Sequence, residues 1–210
     1  MTISNAYFDR FQTQKYRAKN PIKRGLIRRF VATLHELFQA ESAPKSVLEI
    51  GVGEGFLSGH LSSIHPDIEF SGVDINQQDL DLLSAKFPQI RGYCADVYDL
   101  SSLPGNYDLV ICAEVLEHVE VPERALEQMI KLGPKRLILT VPHEPWFMLS
   151  NLAMGKNVTR LGNDIEHVNH FTVGSFRRLL SSKLELSKVT TSYPWILASG
   201  RPKAPPVGAG

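Results

Sequence analysis

The chain is short of the features that would place it in an unusual environment. Only two cysteines, Cys94 and Cys112, occur in 210 residues, each inside an apolar stretch. With no CxxC motif and no metal-type cysteine pairing, a disulfide framework and a thiolate-ligated zinc are both excluded, and a reducing cytoplasm suits the two thiols. No run of about 18 apolar residues exists that would span a bilayer. The polar N-terminus lacks the apolar core of a signal peptide. Net charge is only +1, so the broad positive field of a nucleic-acid-binding domain is missing and no DNA partner is expected. No internal repeat is visible. What remains is ordinary globular material, 43% apolar and 21% charged, long enough for one domain with a real core.

The informative stretch is Val47-Leu48-Glu49-Ile50-Gly51-Val52-Gly53-Glu54-Gly55. An apolar run ends in a glycine-rich turn, and Phe56-Leu57-Ser58 follows, which predicts a buried strand, a tight loop and a helix start. Glycines at alternate positions permit positive φ and close approach of a ligand. The spacing is G-x-G-x-G and not the G-x-G-x-x-G of dinucleotide enzymes. Nineteen residues beyond Gly55 stands Asp74, at the end of a second apolar run. A carboxylate there suits a ribose diol, because each oxygen can accept a hydroxyl hydrogen.

Apolar runs and helical periodicities then alternate. Strands are predicted near Ser46–Ile50, Glu69–Val73, Arg91–Cys94, Tyr107–Cys112 and Arg136–Val141. Helices are predicted from Pro21, over Gln77–Lys86, over Pro122–Leu132 and over Val173–Ser182, before an antiparallel pair, Leu184–Thr190 with Pro194–Ser199. Such βαβα order implies an α/β, Rossmann-like, doubly wound and mostly parallel sheet with helices on both faces. Residues 1–40 are expected to be a basic helical segment packed on the domain, 41–200 the domain itself, and 201–210 a disordered Pro/Gly/Ala-rich tail.

Glu49-x-Gly51-x-Gly53-x-Gly55, Asp74, Cys94-Ala95-Asp96-Val97 and Tyr107-Asp108-Leu109-Val110 together resemble the successive motifs of class I S-adenosylmethionine-dependent methyltransferases. The resemblance implies a seven-stranded sheet closed by a C-terminal antiparallel hairpin, with S-adenosylmethionine as cofactor. Carried over residue by residue, Glu49 meets the amino-acid part of the cofactor, Gly51, Gly53 and Gly55 lie against it, and Asp74 holds the ribose. Ile75 covers the adenine face, Asp96 and the Val97 amide read the adenine edge, and Glu114 lies near the sulfonium.

Glu114-Val115-Leu116-Glu117-His118-Val119 is similar to the corresponding segment of UbiG-type quinone O-methyltransferases. By that likeness the acceptor is a small molecule, methylated on oxygen, with His118, His170 and Glu117 as catalytic candidates. A Glu-x-x-Glu-His set with a later histidine also resembles the metal-dependent Hen1-type RNA 2′-O-methyltransferases. Glu114, Glu117, His118 and His170 are therefore candidate ligands for a divalent metal, although a metal-free site with locally hydrogen-bonded side chains is the preferred reading and an RNA acceptor the minority one. A SAM-binding protein without catalysis stands as another alternative. Residues 143–171 form a long connection, with Trp146, Phe147 and Met148 as either a pocket wall or a short packed helix, and with Lys156 and Arg160 as partners for an acidic acceptor. The basic residues Arg10, Lys15, Arg17, Lys19, Lys23, Arg24, Arg28 and Arg29, uninterrupted by an acid, read first as a solvated face and second as a surface for an anionic substrate or membrane.

Overall fold

The computed structural model describes residues 3–17, 19–153 and 168–204. The alternation read from the sequence becomes β1 (Ser46–Ile50), α4 (Phe56–Ile64), β2 (Glu69–Asp74), α5 (Gln77–Lys86), β3 (Arg91–Cys94), β4 (Leu109–Ala113), α6 (Pro122–Lys131) and β5 (Arg136–Pro142). Three helices precede it: α1 (Asn5–Phe8), α2 (Gln14–Arg17) and α3 (Pro21–Gln39). After it come α7 (Trp146–Ala153), α8 (Val173–Ser181), β6 (Leu184–Ser192) and β7 (Trp195–Pro202). The seven strands pair in the order β3-β2-β1-β4-β5-β7-β6. β1 to β5 run parallel, and β7 is antiparallel to both β5 and β6.

Alternation along each strand sends side chains to two apolar layers. Val47, Leu109, Ile111 and Ile138 join α3, α4 and the N-terminal aromatics on one face. Leu48, Val110, Leu137 and Leu139 join α6 and α8 on the other. Helix α3 starts where Asn20 accepts from the amides of Ile22 and Lys23 at 2.9 and 3.1 Å, with Pro21 in its first turn. At its far end Arg136, only 4% exposed, donates to the carbonyls of Leu37 and Phe38 at 3.0 and 2.9 Å and so ties α3 to β5.

Most boundaries shift by a residue or two from the expectations, and three differences bear on the site. β4 begins two residues later than Tyr107, since the Asp108 amide donates to the Ser46 hydroxyl at 3.1 Å and its carboxylate is held by the Lys45 amide at 2.7 Å and by Lys135. α7 forms where the sequence left a choice between irregular wall and helix. β7 runs on to Pro202, so Arg201 and Pro202 belong to the sheet, and Arg201 pairs with Glu41 at 2.6 Å. Residues 154–167, including Lys156 and Arg160, lie outside the described residues. Among the described residues, no helix is long and apolar enough to cross a membrane.

Candidate active site

The strand order reverses between β1 and β4, since β1 leads away to β2 and β3 on one side while β4 and β5 continue on the other. At such a point the connecting loops part and leave a crevice over the carboxyl ends of the strands. The loop after β1 lies across it. Its Gly51 and Val52 amides both donate to the Val73 carbonyl, at 2.8 and 3.0 Å, which fastens it to the end of β2. Gly55 has φ 84°, and a Cβ there would stand 2.3 Å from Leu83, so only glycine closes this turn. At Gly53, by contrast, a Cβ would meet nothing within 4 Å. That side of the loop faces open space.

Asp74 joins the loop to β2. One oxygen accepts from the Gly53 amide at 2.8 Å and the other from Asn76 at 2.9 Å. Each oxygen keeps an unused lone pair for a diol. Ile75 beside it is 71% exposed. Asp96, exposed after β3, accepts from the Tyr98 amide at 2.8 Å, and Val97 is half-buried next to it.

Glu49 is the buried member of this group, 4% exposed. Its Oε2 accepts from the Ser58 amide at 2.9 Å and from the Ser58 hydroxyl. Gly55, the N-cap of α4, has no side chain to offer, so Glu49 caps the helix from the neighbouring strand. Burial pushes its carboxyl up to about 7, against the lowering effect of the two Ser58 bonds.

Across the crevice, Glu114 sits at the tip of β4 with φ 58°. Its two oxygens are engaged by the Trp195 indole N–H and the Lys15 ammonium. Glu117 is 1% exposed and neither of its oxygens is hydrogen-bonded among the described residues. Burial raises it to about 8. The His118 Nε2 lies 4.0 Å from Glu117 Oε1. The residues just before His170 meet this segment through hydrogen bonds to its backbone. Val168 and Asn169 donate to the Glu117 carbonyl at 2.8 and 3.0 Å, and the Asn169 amide group donates to the Val119 carbonyl at 2.5 Å. Glu144 is a 6% exposed acid with one oxygen on the Met148 amide at 3.2 Å and the other without a hydrogen bond among the described residues; burial raises its carboxyl, against the Met148 bond and the charge of His170. The four candidate metal ligands are thus not gathered into one set, because Glu114 is turned to Lys15 and Trp195. Among the described residues, no group of three or more His, Cys, Asp or Glu is arranged to hold a metal ion.

Several site residues carry no sequence motif: Lys15, Glu54, Tyr16, Trp195 and Glu144. Glu54 accepts from the Gln12 amide at 2.9 Å, the Thr13 amide at 2.7 Å, the Thr13 hydroxyl at 2.6 Å and Lys86 at 2.7 Å. Tyr16 stacks on Phe56 at 3.8 Å between ring centroids. The N-terminal segment is therefore a strap across the glycine loop. Its basic residues are not simply a solvated face, since Arg24 is 6% exposed and pairs with Asp9 at 2.5 Å, and Arg28 donates to the Ile3 carbonyl at 2.7 Å.

Comparisons with known proteins agree with this architecture. A family model described as a methyltransferase domain matches residues 22–184. The ubiquinone biosynthesis O-methyltransferase of Pseudomonas aeruginosa (strain UCBPP-PA14) is 30% identical over 117 residues, 51% of this chain and 49% of the relative. The mitochondrial counterpart from Saccharomyces cerevisiae is 27% identical over 55% of this chain and 40% of its own length. The chain thus spans about half the length, or less, of these curated relatives. Magnesium protoporphyrin IX methyltransferase from Synechocystis, solved with bound S-adenosylhomocysteine (SAH), superposes with TM-score 0.70 at 19% identity over 94% of this chain and 95% of that one. The methyltransferase domain of a bacterial Hen1 superposes with TM-score 0.62 at 17% identity over 84% and 99%. At those identities the structural likeness establishes the class I fold. With the family model covering most of its length, the chain belongs to the methyltransferase domain family.

Proposed function

We propose that the chain is a S-adenosylmethionine (SAM)-dependent methyltransferase whose acceptor is an oxygen of a small, phenol-like molecule. The observation that carries the cofactor part is the bond from the Gly53 amide to Asp74. It sets a carboxylate with spare lone pairs beside a loop whose outer side is open, at the point where the strand order reverses. When bound, SAM supplies a methyl group already activated on a sulfonium. The protein's task is then to hold the acceptor in line and exclude water. Asp74 takes the ribose hydroxyls, Ile75, Asp96 and Val97 the adenine, and Glu49 the amino-acid end.

The acceptor side is read from Glu117 and His118. A buried carboxyl raised to about 8 keeps its own proton at neutral pH, so Glu117 backs the imidazole beside it and the more exposed His118 is the group to receive a hydroxyl proton. Trp146, Phe147 and Met148 on α7 supply apolar surface at the end of β5, fit for a flat or prenylated acceptor. Likeness to the ubiquinone enzymes supports the same class.

The deciding experiment is calorimetric titration of SAM and SAH, followed by methyl transfer from labelled SAM to a panel of catechols and hydroxybenzoates. Micromolar binding of both ligands with turnover of a phenol is expected. Tight binding without turnover on any acceptor favours a non-catalytic SAM-binding protein, and no binding removes the proposal. Activity is expected to survive prolonged EDTA. Its loss, with recovery on Mg²⁺ or Mn²⁺, would turn the site to metal chemistry.

A further inference from the structure

Lys15 holds a place that no motif foretells. It stands between two anchors of the strap, with Thr13 bonded to Glu54 on one side and Tyr16 stacked on Phe56 on the other. Held in this way, its ammonium reaches across the crevice to Glu114. It lies 5.9 Å from the Trp195 ring centroid, and Trp195 in turn donates to the other Glu114 oxygen. Burial lowers the Lys15 amine to about 8, so it is still a cation at neutral pH.

The strand order says what this cation faces. Asp74 and Asp96 follow β2 and β3, the glycine loop follows β1, and Glu114 ends β4, in that spatial sequence. A cofactor with its adenosine over Asp74 and Asp96 must extend across the loop toward β4, which brings its sulfur end to the Lys15–Glu114 pair. SAM and SAH differ there by one positive charge and one methyl group.

Resting on the cofactor reading above, we infer that Lys15 is a specificity-determining residue that sets the protein's preference between methyl donor and demethylated product. Its ammonium opposes the sulfonium directly and also keeps Glu114 in an ion pair, unavailable as a counter-charge. The neutral thioether of SAH is indifferent to both effects. Lys15 therefore restrains the affinity for the donor and leaves that for the product unchanged.

The test is the ratio of dissociation constants for SAM and SAH, measured by titration on the full chain and its variants. Lys15→Met is expected to move the ratio about threefold to tenfold toward SAM, the scale of one charge removed at several ångströms in a partly wet site. Lys15→Arg is expected to leave the ratio in place. Glu114→Gln, which strips the ammonium of its partner, is expected to move it the opposite way, and it decides the matter should Lys15→Met fail to fold. Equal weakening of both ligands by Lys15→Met would show a strap residue and nothing more, and an unchanged ratio in Lys15→Met and Glu114→Gln would likewise overturn the inference. If the unaltered protein binds neither ligand, the cofactor reading itself falls, which is distinct from binding with an unmoved ratio.

Discussion

Asp74 and Glu49 each tie the scaffold beside the glycine loop, so the binding of their variants is read on protein shown to be folded. Asp74→Ala is expected to weaken SAM by about 1–3 kcal/mol, the range for hydrogen bonds to a charged group. Calorimetry measures it, and an unchanged dissociation constant would remove Asp74 from the site. Glu49 makes a prediction in pH. Its carboxyl is raised to about 7 by burial, and the ammonium of a bound ligand favours the ionised form. The pKa must then fall on binding, a proton is released, and affinity for SAM rises with pH up to about 7 and levels off above it. Titrations between about pH 5.5 and 8.5 would show this slope, and a flat profile would place the ligand's ammonium elsewhere. How much of the site could be read from the sequence also divides by residue. Glycines and acids following an apolar run declare themselves, because the loop they make is local. Lys15 and Trp195 could not be foreseen, since they meet Glu114 only through tertiary folding and are separated from it by 99 and 81 residues along the chain.

The N-terminal strap is the element whose stability hangs on one side chain. Burial works to raise Glu54, yet Lys86, the Thr13 hydroxyl and the Gln12 and Thr13 amides outweigh it and bring the carboxyl down to about 2. A depressed carboxyl adds stability that is complete above its unfolded value, about 4.3, and drains away as pH falls toward 2. Glu54→Gln is expected to cost about 2–3 kcal/mol and to open the peptide bonds around Gln12–Arg17 to limited proteolysis. Cleavage no faster than in the unaltered protein would show that the aromatic contacts of Tyr7, Phe11 and Tyr16 suffice to hold the strap. The central elements were legible because apolar runs and helical periodicity persist over five residues or more. The strap was not, since α1 and α2 have four residues each and their form is imposed by Glu54 and Phe56 rather than by their own pattern. α7 shows the opposite limit. Its apolar residues fit a helix and a pocket wall equally, and only its place after β5 decided between them.

For the molecule as a whole, Arg136 is the tie between layers. Arg136→Met would leave the Leu37 and Phe38 carbonyls unmet in a buried place, and Glu41 without one of its cations. A loss of about 3 kcal/mol is expected, a fall of roughly 6–12 °C in melting temperature for a chain of this size. Calorimetry would measure it, and a shift below about 2 °C would mean that water takes over the carbonyls. Charge points the same way at this scale. Lys15, Arg24 and Arg28 are turned inward to Glu114, Asp9 and the Ile3 carbonyl. The protein is therefore expected to stay in the supernatant with anionic vesicles at about 0.15 M salt, and pelleting would revive the membrane reading of residues 10–29.

The position of β7 reaches beyond the finished structure. All seven residues of β5 are buried, and β7, which follows β6 in the chain, pairs with β5 on one side and with β6 on the other. As the polypeptide leaves the ribosome, the parallel strands can assemble while β5 still presents a bare apolar edge, and β6 has no seat until Trp195–Pro202 has emerged. A nascent chain stalled before Trp195 should therefore be a client for chaperones and prone to pair with its neighbours, whereas emergence of β7 both closes the sheet and brings Trp195 to Glu114. Closing the sheet and forming the Trp195–Glu114 contact become a single event.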